Sequence, residues 1–187
     1  MRAARWIRDR KVATKILTVA GVAVAGTVIT ATVSLAGIAN LQSTRATELQ
    51  RAVPFITNLN EAALAAKAAA NDERGYLIAG DAKFRDEALG RQEAVDASLA
   101  AARSLGDASD EAAVDEIKAA TDAWFAALQT EFTIYRSDRA AAVTAAMGTN
   151  RDLRKTYETL LSAEIGRAND ALIAGKGFDA TVGTIRT

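Results

Sequence analysis

The sequence contains no cysteine and no histidine. The absence of cysteine excludes disulfide bonds and thiol nucleophiles, and the absence of both residues excludes zinc sites built from Cys and His ligands. Imidazole acid–base catalysis is excluded as well. Carboxylate pairs such as Asp110/Glu111 lie where we expect a helix to begin, and acids are favoured there by the helix dipole. We therefore expect no catalytic site, no metal site and no cofactor, and we predict that the chain is not an enzyme.

Proline and aromatic residues are also scarce, with one Pro and 5% aromatic residues. A sequence rich in alanine and poor in alternating β-branched and aromatic residues favours helices over strands. Positive charge is concentrated at the start of the chain, so the remainder is net acidic and has no basic stripe that could bind nucleic acid. The composition thus predicts an all-α protein without a nucleic-acid partner.

Charge is missing altogether from the segment Ile16 to Ala39. A helix of that length, at about 1.5 Å rise per residue, can cross the hydrocarbon core of a bilayer. Six basic residues and one acid, Asp9, precede it. Because Lys and Arg favour the cytoplasmic side, we expect a cytoplasmic basic tip at 1–15, a transmembrane helix at 16–39 and an extracytoplasmic domain at 40–187. The chain would then cross the cell membrane once.

Two alternatives to an uncleaved anchor remain open. A cleaved signal peptide also has a basic start, but its apolar region usually spans about 7–15 residues. A helix buried in a soluble protein would need surrounding apolar segments, and nothing downstream is apolar enough to enclose it.

The helix is expected to continue from Leu41 to Gly80, with Pro54 kinking or briefly breaking it around Val53. Gly80 and Asp81 should end this helix and cap the next. The second helix is expected over 82–105, and the third ends at Tyr135. A short Ala-rich helix should then reach Met147, and the last helix should run from Asn150 onward. Turns are expected between these helices at 106–109, 136–139 and 148–150.

Apolar residues recur in steps of three and four along each of these helices, which is the spacing of a packed seam. The residues expected in the seams are Ile56, Leu59, Ala63, Ala66, Ala70 and Leu77, then Phe84, Ala88, Val95, Leu99 and Ala102, then Val114, Ile117, Trp124, Leu128 and Tyr135, and finally Leu153, Tyr157, Leu161, Ile165, Ala168 and Leu172. Helices of these lengths can run alternately away from the membrane and back to it, so we predict an up-down-up-down four-helix bundle.

Particular motifs resemble known families. The opening WIRDRKVATKILTVAGVAV is similar to the first segment of actinobacterial methyl-accepting chemotaxis proteins, and ERGYLIAGDAKFRDEA (Glu73 to Ala88) resembles the RGYL-x-x-GD-x-x-F pattern of the third-class CHASE sensor domain. Trp124, YRSDRAAAV and DLRKTYETLL follow in the order expected for that domain and for the related four-helix ligand-binding domain of chemotaxis receptors. Such families continue into a second transmembrane helix, a HAMP linker and an output module, which we do not find in these 187 residues.

Candidate ligand-binding residues are Arg74, Arg136 and Arg139, which the helix lengths place at the end of the bundle far from the membrane. Arginine forks suit carboxylate or phosphate ligands, although solvation or pairing with acids of the bundle is the simpler role. The aromatic stripe of Trp124, Phe125, Phe132 and Tyr135 favours core and dimer packing over a ligand pocket.

These patterns lead to a functional hypothesis. The chain is expected to be the sensor region of a chemotaxis receptor, working as a homodimer in the membrane, with a small anionic ligand or a periplasmic partner protein. The alternatives are the sensor region of a histidine kinase or cyclase receptor, and a single-pass helical interaction or scaffold protein.

Overall fold

The computed structural model describes residues 12–174, which form helices joined by short turns and contain no strand. The all-α prediction is therefore confirmed. Four long helices form a bundle, and a short fifth one connects the last two. Their bounds are α1 Val12–Ala79, α2 Ala82–Leu105, α3 Ala108–Tyr135, α4 Arg139–Met147 and α5 Thr149–Ala174.

The N-terminal part of α1 projects beyond the bundle as an apolar helix with exposed sides. Val22 and Leu35, for example, are 69% and 67% exposed. The hydroxyl groups of Thr27 and Thr32 donate to the carbonyls of Ala23 and Val28 one turn earlier, at 2.9 and 2.8 Å, so these polar groups need no outside partner. Among the described residues, this helix alone is long and apolar enough to span a membrane.

Helix α1 runs without interruption through Val53 and Pro54. The brief break that was one of the two expectations there is thus wrong, and the kink stays a prediction. A proline inside a helix costs about 3 kcal/mol, but the adjoining Phe55 and Leu59 are 3% and 0% exposed. Burial of such side chains contributes about 1.5–3 kcal/mol each, so core packing of the residues that follow the proline offsets its cost. The Asn58 amide also donates to the Pro54 carbonyl at 2.8 Å.

The turn between α1 and α2 explains the glycines of the GYLIAGDAKF segment. Gly80 has a φ of 69° and donates its N–H to the Tyr76 carbonyl at 2.7 Å, a backbone conformation that favours glycine. The Asp81 carboxylate then accepts the Lys83 N–H at 2.9 Å. A Cβ at Gly75 would lie 2.8 Å from the Phe84 ring. The expected helix end and cap are confirmed, and Gly75 lets α2 approach α1 closely.

The bundle follows an up-down-up-down course. We call the end that holds Gly80 the distal end, and the opposite end, where the apolar part of α1 enters, the proximal end. Helix α3 leads from the proximal to the distal end and α5 returns, since Asn150 contacts Glu131 near the distal end and Arg167 contacts Asp110 near the proximal end. The expected return of the chain as far as Thr187 falls partly on residues outside the described range.

Most of the expected seam residues form the core. Those confirmed as buried are Leu59, Ala66, Ala70, Leu77, Ala88, Val95, Leu99, Ala102, Val114, Ile117, Trp124, Leu128, Tyr157, Leu161 and Ala168. The others, Ile56, Ala63, Phe84, Tyr135, Leu153, Ile165 and Leu172, are half-buried. Helix α1 adds Phe55, Ala62 and Ala69, which the sequence analysis did not select. The last two lie on the alanine-rich face of α1, where small side chains permit close helix approach.

Core packing predicts the cost of truncating individual apolar side chains. Leu128 and Leu161 are 0% and 3% exposed, whereas Met147 is 68% exposed. We expect Leu128→Ala and Leu161→Ala each to lower the free energy of unfolding by about 2–5 kcal/mol. Met147→Ala should change it by less than about 0.5 kcal/mol. Denaturant unfolding of the chain in detergent micelles, followed by circular dichroism, measures the three values, and equal losses at all three sites would contradict the assigned core.

Two glycines inside helices should respond oppositely to alanine. At Gly75 the new methyl group would meet the Phe84 ring, while nothing lies within 4 Å of a Cβ at Gly90. Gly75→Ala should therefore lower the free energy of unfolding by about 1–3 kcal/mol through overpacking. Gly90→Ala should raise it by up to about 1 kcal/mol through helix propensity. The same unfolding measurement distinguishes them, and stabilisation by both would show that α1 and α2 are not in close contact at Gly75.

Candidate functional site in the distal half of the bundle

Polar side chains from three helices meet inside the distal half of the bundle. Glu73 of α1, Glu131 of α3, and Asn150 and Tyr157 of α5 are between 1% and 6% exposed, and we call these four residues the polar layer. Each glutamate takes a position on the core face of its helix, Glu73 three residues after Ala70 and Glu131 three residues after Leu128. The periodicity that buries the apolar seam therefore buries the carboxyl groups too.

A hydrogen bond between α3 and α5 runs through the polar layer. The Asn150 amide donates to Glu131 Oε2 at 2.5 Å and approaches the Ala127 carbonyl at 3.5 Å. The Glu73 carboxyl group of α1 lies near that of Glu131, and each group affects the protonation of the other. Glu131 Oε1 and the Tyr157 hydroxyl oxygen have no hydrogen-bond partner among the described residues. The layer is thus only partly satisfied, which is costly in a buried position.

Burial changes the protonation of the two glutamates. It raises the pKa of Glu131 to about 8, with the nearby charge of Glu73 adding to the effect and the Asn150 hydrogen bond opposing it. Burial also raises the pKa of Glu73, against the lowering effects of Glu131, Arg154 and Arg74. Two carboxylates in contact do not both ionise readily. The pair therefore retains a proton near neutral pH.

Aromatic rings fill the core around the polar layer. Trp124, Phe125 and Phe132 are at most 2% exposed. The Tyr76 ring meets Phe132 edge to face at 5.0 Å between centroids, and Trp124 lies 5.0 Å from Tyr157. Trp124, Phe125 and Phe132 are thus core residues, as expected, Tyr135 is half-buried, and the expected part of the stripe in dimer packing stays a prediction.

The three candidate arginines lie toward the distal end of the bundle. Arg139 donates from Nη2 to the carbonyls of Leu77 and Ile78, both at 2.8 Å, and so caps the C-terminus of α1. Its guanidinium also lies 5.5 Å above the Tyr135 ring. Arg74 is exposed and donates to Asn71 at 3.0 Å. Arg136 is the exposed C-cap residue of α3. Anion binding by these arginines stays a prediction.

A second charged cluster lies at the proximal end. Arg167 of α5 donates to the carboxylates of Asp110 and Glu164, which are 5% and 6% exposed. Asp110 also accepts the Asp107 N–H at 2.9 Å, which confirms the expected role of this acid at a helix start. A cavity of about 330 Å³ opens beside Arg167 and Arg51. These contacts tie α5 to the start of α3, and the acids are satisfied by their neighbours.

A comparison with protein-family models now identifies the family. The CHASE3 domain matches residues 45–174, which cover the whole bundle. The chain belongs to the CHASE3 domain family. This family is a sensor domain found in chemotaxis, histidine kinase and cyclase receptors, and it is not catalytic. The resemblance to the third-class CHASE domain is thereby confirmed. No curated protein and no solved structure matches the chain.

The sequence carried a signal for part of the polar layer. Glu73 and Glu131 interrupt apolar seams, and a charged residue on the core face of a helix is rarely buried without a partner. Asn150 could not be placed in the same way, because its position after Gly148 and Thr149 indicated a turn. The structure instead begins α5 at Thr149, so Asn150 lies in the first helical turn.

The arginine hypothesis can be tested with substitutions by lysine. If Arg74, Arg136 and Arg139 bind a small anion, their combined Arg→Lys variant should weaken binding, because an ammonium lacks the planar fork of a guanidinium. Calorimetric titration with amino acids, dicarboxylates and phosphates measures this. Unchanged affinity would remove the arginine site, and no binding at all would favour sensing through a partner or the membrane.

The single variants serve as controls for folding. Arg74→Lys and Arg136→Lys should each change the free energy of unfolding by less than about 0.5 kcal/mol. Arg139→Lys should cost about 1 kcal/mol, since it disturbs two hydrogen bonds from a charged group.

Proposed function

We propose that this chain is the membrane-anchored, extracytoplasmic sensory region of a chemotaxis receptor. The observation that carries the proposal is the continuity of α1, which extends from Val12 through the exposed apolar segment to Ala79 at the distal end. A single helix thus contributes both the membrane-spanning segment and one wall of the sensor core. A displacement of α1 in the bundle therefore acts directly on the segment in the membrane.

The charge distribution supports the orientation. Six basic residues and one acid precede the apolar segment, which favours a cytoplasmic N-terminus and an extracytoplasmic domain at 40–187. The single pass and the location in the cell membrane follow from the same proposal.

A homodimer is part of the proposal. Four exposed apolar residues of α1 outside the apolar segment, Leu49, Val53, Leu64 and Ile78, are 39–76% exposed. At about 100° per residue they fall within roughly 60° of one another around the helix. An unpartnered apolar stripe along a helix is typical of a packing surface. A second copy would cover it with the same stripe, as two-fold symmetric dimers do.

Signalling would depend on two packings of the bundle. The guanidinium of Arg45 donates to the Leu172 carbonyl at 3.1 Å, so α1 and α5 are in contact at the proximal end. A ligand or partner protein that favours one packing would shift these helices relative to each other. Helix shifts of about 1–2 Å at subunit interfaces are one known class of switching transition.

Histidine kinase and cyclase receptors are the alternatives within signalling, since the same family of sensor domains occurs in them. A single-pass interaction or scaffold protein is a further alternative. The genomic sequence beyond the codon for Thr187 discriminates among them: a HAMP linker with a methyl-accepting coiled coil supports the chemotaxis receptor, a kinase or cyclase domain supports the first alternative, and an immediate stop codon supports the scaffold.

The topology can be tested with single cysteines, because the natural chain has none. Ala123 is exposed on α3, and Ala4 lies in the basic tip. In intact cells or spheroplasts, a membrane-impermeant maleimide should label Ala123→Cys and should label Ala4→Cys only after lysis. Denatured samples of both variants provide the control for reactivity. Labelling of Ala4→Cys alone in intact cells would reverse the orientation and contradict the sensory proposal.

A further inference from the structure

We propose that the polar layer is a proton-binding switch, in which a proton shared by Glu73 and Glu131 holds α1 against α3 and its loss separates them. In the orientation proposed above, this proton would come from outside the cell, so the source of the proton rests on the proposed function. The switch itself does not rest on it, because the switch depends only on contacts inside the bundle.

The placement of the two carboxyl groups favours a shared proton. Glu73 and Glu131 are 6% and 1% exposed, and beside them α1 and α3 are in contact through the rings of Tyr76 and Phe132, 5.0 Å between centroids. Since carboxylates only accept hydrogen bonds, a bond between the two groups needs a hydrogen atom on one of them. Asn150 donates to Glu131 Oε2. A proton on the pair therefore lets hydrogen bonds connect α1 through α3 to α5, whereas a fully ionised pair has no hydrogen atom to link Glu73 with Glu131.

The charged groups around the pair do not replace that proton. Arg74 of α1 and Arg154 of α5 act on Glu73, but Arg74 is exposed and Arg154 donates to Glu158 at 3.1 Å. Burial and neighbouring acids raise the pKa of Tyr157, so this phenol stays neutral. The buried residues of α2 and α4, such as Ala88 and Ala142, carry no charge. Arg91 of α2 is exposed, and it pairs with Asp72 at 3.4 Å rather than with the glutamates.

Loss of the shared proton changes the packing of one helix in particular. Two negative charges in contact inside a low-dielectric core repel each other and lose their hydrogen bond, so the carboxylates must separate or admit water. Glu73 lies on α1, the helix that continues into the apolar segment. A separation of α1 from α3 at Glu73 is thus a movement of the helix that the proposed receptor uses for transmission.

The direction of the pH dependence follows from the raised pKa values. In the unfolded chain both glutamates titrate near their ordinary value, whereas in the bundle the pKa of Glu131 is about 8. Between these values the folded state holds one more proton than the unfolded state. Stability is therefore greatest at acidic pH, and the folding equilibrium constant falls by up to about tenfold per pH unit until the pH exceeds the folded pKa.

The first experiment measures that slope with the full chain in detergent micelles. Unfolding by denaturant between about pH 6 and pH 9 should show the fall in the wild type. Glu131→Gln should abolish it, because glutamine accepts from Asn150 and donates to Glu73, as the protonated acid does. Glu93→Gln, at an exposed position of α2, is the matched control and should retain the wild-type slope. Equal slopes in wild type and Glu131→Gln would overturn the proposal.

The second experiment detects the movement, which a purely structural role of the pair would not produce. Spin labels on Asn71→Cys and Gln129→Cys, at exposed positions of α1 and α3, should report a longer distance at about pH 9 than at about pH 6. With Glu131→Gln the distance should not change. Glu73→Gln removes the same pair and replaces Glu131→Gln if that variant fails to fold. A distance independent of pH in the wild type would overturn the proposed switch. Failure of the switch can be distinguished from failure of the proposed topology, because maleimide labelling tests the topology alone.

Discussion

The structure depends on the continuity of α1 from Val12 to Ala79. A segment in lipid must satisfy all of its own N–H and C=O groups, and the same helical pattern, continued past Pro54 to Ala79, supplies an apolar face for the bundle. Only the side chains change along the helix, from apolar on all sides to apolar on one. Since no loop separates the two parts, α1 cannot adjust its position in the core without also moving the apolar segment. The other helices pack against an element whose direction is already set.

The distal turn fixes how α2 returns along α1. Gly80 takes a positive φ and Asp81 caps the next helix, while Gly75 leaves room for the Phe84 ring. Arg139, from α4, then donates to the last carbonyls of α1. The conspicuous sequence segment around RGYL and GD is accordingly explained by the geometry of a tight helix reversal. Its glycines and its aspartate act on the backbone, and they need no ligand to account for them.

Much of this fold could be predicted from the sequence, because its determinants are local. The bounds of α2 at residues 82 and 105, and the interruption between Tyr135 and Arg139, followed from glycine, aspartate and apolar spacing. The continuity at Pro54 could not be predicted in that way, since it depends on the burial of Phe55 and Leu59 by other helices. The same holds for the polar layer. The positions of Glu73 and Glu131 were unusual in their seams, but only tertiary packing brings them together with Asn150. The family match confirms a sensor domain and leaves its ligand as a prediction.

The energetic position of the polar layer is what makes it suited to a switch. A pKa of about 8 for Glu131, well above the ordinary value of a glutamate, corresponds to a destabilisation of a few kcal/mol when both acids are ionised. A domain of ordinary stability, about 5–15 kcal/mol, can tolerate such a loss without unfolding. The loss is nevertheless large enough to favour a different packing of two helices over the original one, since about 1.4 kcal/mol already changes a population ratio tenfold. An apolar pair at the same positions would make a more stable bundle with one packing. A carboxyl pair makes a less stable bundle whose preferred packing depends on a proton, and it does so on the helix that carries the long apolar segment.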